Sequence, residues 1–172
     1  ALVPVLIGAA WVYYQGLEAF PWLNFGLAVA GASALHVSAN CFNDYFDWKS
    51  GTDKANNDYF QALSGGSRAV ELGLISQKGM FAVATVAAVV ATACGVGLVS
   101  LVGPGVLIYG AIGLFSAYFY TAPPLRLVAR KGLGELFIGL NFGPFITSGT
   151  AYALTGSFQW ADLLVGIPVG LL

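Results

Sequence analysis

The sequence predicts an all-α, polytopic bundle of transmembrane helices, and its composition and charge placement carry that prediction. Of its 172 residues, 58% are hydrophobic and 9% are charged, whereas a soluble domain carries roughly 25% charged residues. The seven basic and eight acidic residues lie outside five long neutral stretches, and one stretch covers residues 79–125. With a net charge of −1, the chain has no net positive charge that would attract polyanions, so we expect no nucleic-acid partner.

About 20 apolar residues cross the hydrocarbon core, so the longest neutral stretch is long enough for two helices. The long neutral stretch divides at Gly103-Pro104-Gly105, which is a hairpin signal. The first and last apolar segments are short for a span, so we expect residues 1–172 to be one incomplete, truncated transmembrane domain. The predicted helices, five and a partial sixth, lie near residues 1–14, 21–47, 79–102, 105–122, 133–155 and 160–172.

The basic residues predict which way the helices run. All seven lie in the segments 48–78 and 123–132, and the other three turns carry none. Two helices separate these segments, so both lie on one side of the membrane, and the positive-inside rule makes that side cytoplasmic. Segment 48–78 is therefore expected to be a cytoplasmic connecting loop, and a polar connection of this length is usually functional.

A polar stripe ends the second predicted helix. His36, Asn40, Asn43, Asp44 and Asp47 follow the spacing of one helical face. At about 100° per residue they fall within an arc of roughly 100°. Polar groups in a membrane helix are costly and normally face a cavity or the bundle interior.

Two interpretations of the stripe are open. A helix end that meets water accounts for Asp44 and Asp47, but it explains the deeper Asn40 and His36 poorly. Carboxylates at a helix C-terminus also oppose the macrodipole, which favours a bound cation. Carboxylate and amide oxygens suit Mg²⁺, which is typically held by one or two carboxylates and substrate phosphates. Such a metal would bridge the aspartates to a diphosphate, and basic side chains on the same side would cover its remaining oxygens.

Four segments resemble the UbiA superfamily of intramembrane aromatic prenyltransferases. Residues 40–53 (NCFNDYFDWKSGTD) are similar to the first aspartate-rich motif of that family. Residues 64–68 (SGGSR) are similar to the loop that follows it. Residues 118–126 (YFYTAPPLR), 132–135 (GLGE) and 142–144 (FGP) complete the pattern, which looks most like the branch that prenylates 1,4-dihydroxy-2-naphthoate for menaquinone.

The resemblance implies a nine-helix fold, of which this chain is the N-terminal part, and a Mg²⁺-assisted reaction. A prenyl diphosphate ionises to an allylic cation and pyrophosphate, and an aromatic acceptor attacks the cation. The implied metal ligands are Asn40, Asp44 and Asp47. These three, with Arg68 and Tyr120, are the implied catalytic residues. The implied substrate-binding residues are Asn43, Asp53, Tyr118, Arg126, Arg130 and Lys131.

Several alternatives remain at this stage. The tyrosines also suit an aromatic belt at the membrane interface, and the basic residues suit a simple topology signal. Within the superfamily, the acceptor could equally be a hydroxybenzoate, homogentisate, haem or a glycerol phosphate. A non-enzymatic transporter could carry intramembrane Asn and Asp, but it leaves the paired basic segments unexplained. A CDP-alcohol phosphotransferase would need Asp-Gly and Ala-Arg after the first aspartates, and the sequence does not supply them.

Overall fold

A computed structural model describes residues 1–52 and 67–172 of the protein, and its regular structure there is entirely helical. A π-helical turn, Asn141–Phe145, joins two of the helices into one continuous span. The described residues thus form five helical spans and a shorter sixth, which confirms the predicted bundle. The helices are α1 (Leu2–Tyr14), α2 (Trp22–Ser50), α3 (Gln77–Val102), α4 (Val106–Phe119), α5 (Leu133–Leu140), α6 (Ile146–Thr155) and α7 (Trp160–Gly170).

Capping explains where the helix ends differ from the predicted ones. Helix α2 continues three residues past its predicted end, because Gly51 adopts a left-handed backbone (φ 80°) that closes the helix. Helix α3 begins at Gln77, where the hydroxyl of Ser76 accepts the backbone N–H of Gly79 at 3.0 Å. Helix α4 ends at Phe119, three residues before its predicted end. The predicted loop 48–78 is therefore helical at both ends.

Helix α3 packs antiparallel against α2. Phe42 and Phe81 meet edge to face with ring centroids 5.7 Å apart. One turn closer to the N-terminus of α2, the buried hydroxyl of Ser38 donates to the carbonyl of Ala84 at 2.8 Å. Helices α2 and α3 are each long and apolar enough to cross a membrane, whereas α1, α4 and α7 are shorter apolar helices.

Glycines bring α7 against the π-helical turn. A Cβ atom on Gly143 would lie 2.5 Å from the carbonyl oxygen of Gly166 and 2.6 Å from the backbone nitrogen of Gly170. At the other end of α7, Trp11 Nε1 donates to the buried carboxylate of Asp162 at 2.9 Å. These contacts fix α7 to α1 and to the α5–α6 span.

The two ends of the bundle differ in charge. The end where α2 and α4 finish and α3 and α5 begin, here called the basic end, holds every described lysine and arginine. The opposite end exposes aromatic side chains instead, including Tyr14, Trp22 and Trp160. Basic residues at one end and an aromatic girdle at the other are typical of a protein that spans a bilayer.

Candidate functional site

The polar stripe of α2 is held in place by contacts within the helix. The amide Nδ2 of Asn40 lies 3.3 Å from His36 Nε2, and the His36 ring packs edge to face on Phe142. The amide of Asn43 donates to Asp47 Oδ2 at 3.1 Å. Each amide nitrogen is therefore directed along the helix to a neighbour one turn away, and Asn43 orients the Asp47 carboxylate.

The chain returns to this stripe immediately before α3. The Ser67 hydroxyl donates to Oδ2 of Asp44, a carboxylate that is 9% exposed. The next residue, Arg68, is equally buried, and its Nε lies 3.4 Å from Glu71 Oε2. Arg68 also has a left-handed backbone (φ 49°), which is uncommon outside glycine. Ser67 and Arg68 thus lie at the aspartate end of the stripe, and the predicted Asp53 lies outside the described residues.

The donor set on α2 suits a hard cation. Asp44 and Asp47 lie one turn apart, and Asn40 lies one turn below Asp44, so two carboxylates and one amide oxygen are available. In the described part of the chain, no three His, Cys, Asp or Glu residues are grouped closely enough to hold a metal by themselves. Mg²⁺ commonly keeps several waters and takes one or two carboxylates together with substrate phosphates. The residues present therefore fit a shared protein–substrate metal site rather than a closed cage.

A large cavity begins beside the stripe. It has a volume of about 600 Å³ and runs between α2, α3, α4 and the α5–α6 span. Its lining is mainly apolar, and at the end away from the stripe it is bounded by the packed side chains of Leu98, Val106 and Ala153. The polar lining residues in its basic half are His36, Asn40, Asn43, Ser116, Tyr120 and Asn141.

The two predicted tyrosines occupy different surroundings. Tyr120 lines the cavity just beyond the end of α4. Burial raises the pKa of its phenol, and the carboxylates of Glu135 and Asp47 raise it further. The ring of Tyr118 packs instead in an aromatic cluster, 5.2 Å from Phe42 and 5.5 Å from Phe46 between ring centroids. Tyr120 is thus the one that faces the cavity beside the stripe.

Asn141, in the π-helical turn, is a cavity residue that the sequence analysis missed. Its Nδ2 donates to the carbonyl of Phe137 at 2.7 Å and to Ser116 Oγ at 3.0 Å. A carbonyl oxygen can only accept, so the Phe137 contact fixes which side of the amide carries the nitrogen. Both amide hydrogens are used there, which leaves Oδ1 as the polar atom that Asn141 can offer to the cavity. The only sequence signal was an asparagine next to Phe-Gly-Pro in an apolar helix.

The three predicted basic residues that follow α4 are separated. Arg126 lines a second cavity of about 180 Å³ together with Lys49. The Arg130 side chain turns back, and its Nε donates to the carbonyl of Leu125 at 2.7 Å. Lys131 is exposed. These three residues lie in one segment of the chain, but their described contacts differ.

The comparisons with known proteins agree with this geometry. The UbiA prenyltransferase family matches residues 1–172. The chain belongs to the UbiA prenyltransferase family. As a family member with two helices long and apolar enough to cross a bilayer, it is an integral membrane protein.

Several curated relatives carry UbiA-type activities in their names. A 1,4-dihydroxy-2-naphthoate octaprenyltransferase of Mycobacterium leprae is 30% identical over 175 residues, covering 100% of this chain and 55% of the relative. A 2-carboxy-1,4-naphthoquinone phytyltransferase of Synechocystis is 31% identical over 177 residues, covering 99% of this chain and 52% of the relative. The chain spans about half the length of the curated relatives it matches. No solved structure gives a significant match to this UbiA chain.

Proposed function

We propose that the whole protein transfers an isoprenyl chain from a prenyl diphosphate to 1,4-dihydroxy-2-naphthoate, with Mg²⁺ assisting loss of the diphosphate. The observation that carries the proposal is the junction of two features on α2. Asn40 and Asn43 belong to the polar stripe of α2 and also line the large apolar cavity. A substrate with a charged head and a long apolar tail fits such a junction, and relatives named as naphthoate prenyltransferases support it.

The cavity is the proposed site of the prenyl tail. Along α2 its lining extends from Asn43 to Leu27, about 24 Å at 1.5 Å per residue. A tail lying along that wall brings its reactive carbon to the polar half of the cavity. The diphosphate head then lies at the aspartate end of the stripe.

Asn40, Asp44 and Asp47 would hold Mg²⁺, and bound Mg²⁺ supplies charge neutralisation for the departing diphosphate. The hydrogen bonds to the two aspartates pre-orient their oxygens, so little reorganisation is needed when the C–O bond breaks. Arg68, the residue that follows Ser67 at the aspartate end of the stripe, would donate to a diphosphate oxygen. Asp53, Arg126, Arg130 and Lys131 stay predictions as further substrate contacts.

Attack of the acceptor on the allylic cation would take place in the cavity, deeper in the bundle than the metal ligands. Tyr120 lines the cavity, and the face of its ring would stabilise the allylic cation by a cation–π contact and exclude water from it. The same role for Tyr118 stays a prediction. Asn141 Oδ1 would accept a hydrogen bond from a hydroxyl of the aromatic acceptor and thereby orient it. A ring carbon then attacks the cation, and the ring loses a proton to regain aromaticity.

Membranes that contain the whole protein test this function directly. They would be incubated with Mg²⁺, a labelled prenyl diphosphate and, in parallel, dihydroxynaphthoate, hydroxybenzoate or homogentisate. We expect pyrophosphate release coupled to labelled product with the naphthoate. Labelled product with another acceptor alone would refute the naphthoate assignment and retain prenyl transfer. Absence of product with every acceptor, together with uptake of label into vesicles, would favour the transporter alternative.

We also propose an orientation of the protein in the membrane. The basic end of the bundle would face the cytoplasm, where soluble diphosphates and a hydrophilic naphthoate are supplied. The positive-inside rule supports that orientation, because every described lysine and arginine lies at that end.

A further inference from the structure

A second cavity lies at the basic end, between the last turn of α2 and the turn that follows α4. Its volume is about 180 Å³. Among the described residues, its lining combines two cations and two hydroxyl side chains and has no acidic residue. The lining residues are Phe46, Lys49, Ser50, Thr121, Pro123 and Arg126.

Among the described residues, no carboxylate neutralises the two cations of this cavity. Neither Lys49 nor Arg126 forms an ion pair with a carboxylate in the part of the chain that the structure describes. The Lys49 ammonium lies 5.7 Å from the centroid of the Tyr45 ring, a cation–π contact that brings no negative charge to the cavity. Two positive charges at one small cavity repel each other, so an anion between them would be stabilising.

Two further observations point to a ligand. Thr121 is only 2% exposed, and among the described residues its hydroxyl has no hydrogen-bond partner, although buried hydroxyls normally have one. Arg126 is a half-buried residue with a left-handed backbone (φ 42°). Such conformations persist where the surroundings enforce them and are concentrated at ligand sites.

We propose that this second cavity binds a phosphate group at the membrane surface. Lys49 and Arg126 would provide charge-assisted hydrogen bonds, and the Thr121 hydroxyl would donate a third. The group could belong to an anionic lipid headgroup or to a soluble phosphate, and both present the same oxygens. This proposal assigns Arg126 to a site separate from the transfer reaction, in place of its predicted contact with the substrate, because the described lining contains none of the predicted metal ligands. Lys49 also points more than a quarter turn away from every residue of the stripe on α2.

The test uses the whole protein and two probes. The first probe is a nanodisc of phosphatidylcholine with or without phosphatidylglycerol, and native mass spectrometry counts the lipid that stays bound. The second is inorganic phosphate added to detergent-solubilised protein, and its dissociation constant is measured by calorimetry. Arg126→Gln removes a proposed contact, and Lys78→Gln removes an exposed charge at the same end of the bundle as a matched control.

Thr121→Val is the decisive variant because it removes a hydroxyl and no charge. We expect it to weaken binding of the phosphate by about threefold to tenfold. Arg126→Gln should weaken binding by about tenfold or more. Lys78→Gln should cost about fivefold at most, the general attraction of one cation for an anionic surface.

The two probes identify the source of the phosphate. Selective retention of phosphatidylglycerol that Thr121→Val reduces would support the site and assign a lipid. Binding of inorganic phosphate with the same dependence on Thr121, and no lipid preference, would support the site and assign a soluble phosphate. Equal losses for Arg126→Gln and Lys78→Gln, with no effect of Thr121→Val, would overturn the proposal. It would also be overturned if Arg126→Gln changed only the KM for prenyl diphosphate.

Discussion

Gly110 offers a way to shorten the proposed tail groove without disturbing the bundle. It lies on α4 in the lining of the large cavity, and a Cβ atom there would meet no atom of the described residues within 4 Å. A leucine at this position therefore projects into open cavity space. The deep half of the groove would be narrowed, while the stripe on α2 and Asn141 would stay unchanged.

The size of the effect follows from steric exclusion rather than from lost hydrophobic burial. A prenyl tail leaves lipid to enter the groove, and lipid is as apolar as the groove itself. The remaining cost is overpacking, about 1–3 kcal/mol, which corresponds to roughly a fivefold to 150-fold loss of kcat/KM. We expect Gly110→Leu to impose this loss on long prenyl diphosphates and to leave geranyl diphosphate unaffected.

The assay compares kcat/KM for a series of prenyl diphosphates of increasing length. Gly26→Leu is the matched control, because a Cβ atom on Gly26 also has no neighbour within 4 Å, and Gly26 does not line the cavity. That control should leave the length profile unchanged. An equal loss for short and long donors in Gly110→Leu, or the same profile in Gly26→Leu, would refute the placement of the tail.

Three further predictions test the site, the packing and the topology. Arg68→Ala should raise the KM for prenyl diphosphate by roughly tenfold to a hundredfold, the worth of one charge-assisted contact, and change the KM for the acceptor much less; an equal rise in both would indicate a collapsed segment. Gly143→Ala places a Cβ atom 2.5 Å from an α7 backbone oxygen and should lower the free energy of unfolding in detergent by about 1–3 kcal/mol, whereas Gly26→Ala should not. Cysteines introduced at Gly51 and Ala129 should both react with an impermeant reagent from the cytoplasmic side, and labelling of either one from outside would reverse the topology.

The helices were predictable because the bilayer leaves few choices. Runs without charge must be helical in lipid, where each backbone N–H needs an internal partner. The hairpin between α3 and α4 was predictable from Gly103-Pro104-Gly105, and the structure places it there. The stripe followed from helical spacing alone, because all five of its residues lie in the uninterrupted helix α2.

The cavity wall at Asn141 could not be predicted from the sequence. Pro144 has no backbone N–H and interrupts the helical hydrogen bonds, and the chain accommodates it with the π-helical turn Asn141–Phe145. That turn changes the angular position about the helix axis of the residues after it relative to the residues before it. Helical spacing counted across Pro144 therefore assigns the wrong face, and only the contacts with Phe137 and Ser116 define where Asn141 points.

The separation of Arg126 from Arg130 had a similar cause. Both residues lie in one short basic segment, so the sequence predicted a common target for them. The left-handed backbone at Arg126 and the bond from Arg130 to the Leu125 carbonyl send the two side chains in different directions. Neither the left-handed backbone of an arginine nor a hydrogen bond back to the chain can be recognised from the residue types alone.

Asp44 and Asp47 are the proposed ligands of the metal that assists loss of the diphosphate. The most direct measurement is the rate of pyrophosphate release by the whole protein as Mg²⁺ is varied, for Asp44→Asn, Asp47→Asn and the control Glu18→Gln. Glu18 is an exposed carboxylate in the turn between α1 and α2, at the opposite end of the bundle. Each aspartate variant should lose about a hundredfold or more in rate while keeping its melting temperature, and Glu18→Gln should lose nothing. A wild-type rate and an unchanged Mg²⁺ dependence in either aspartate variant would contradict the account.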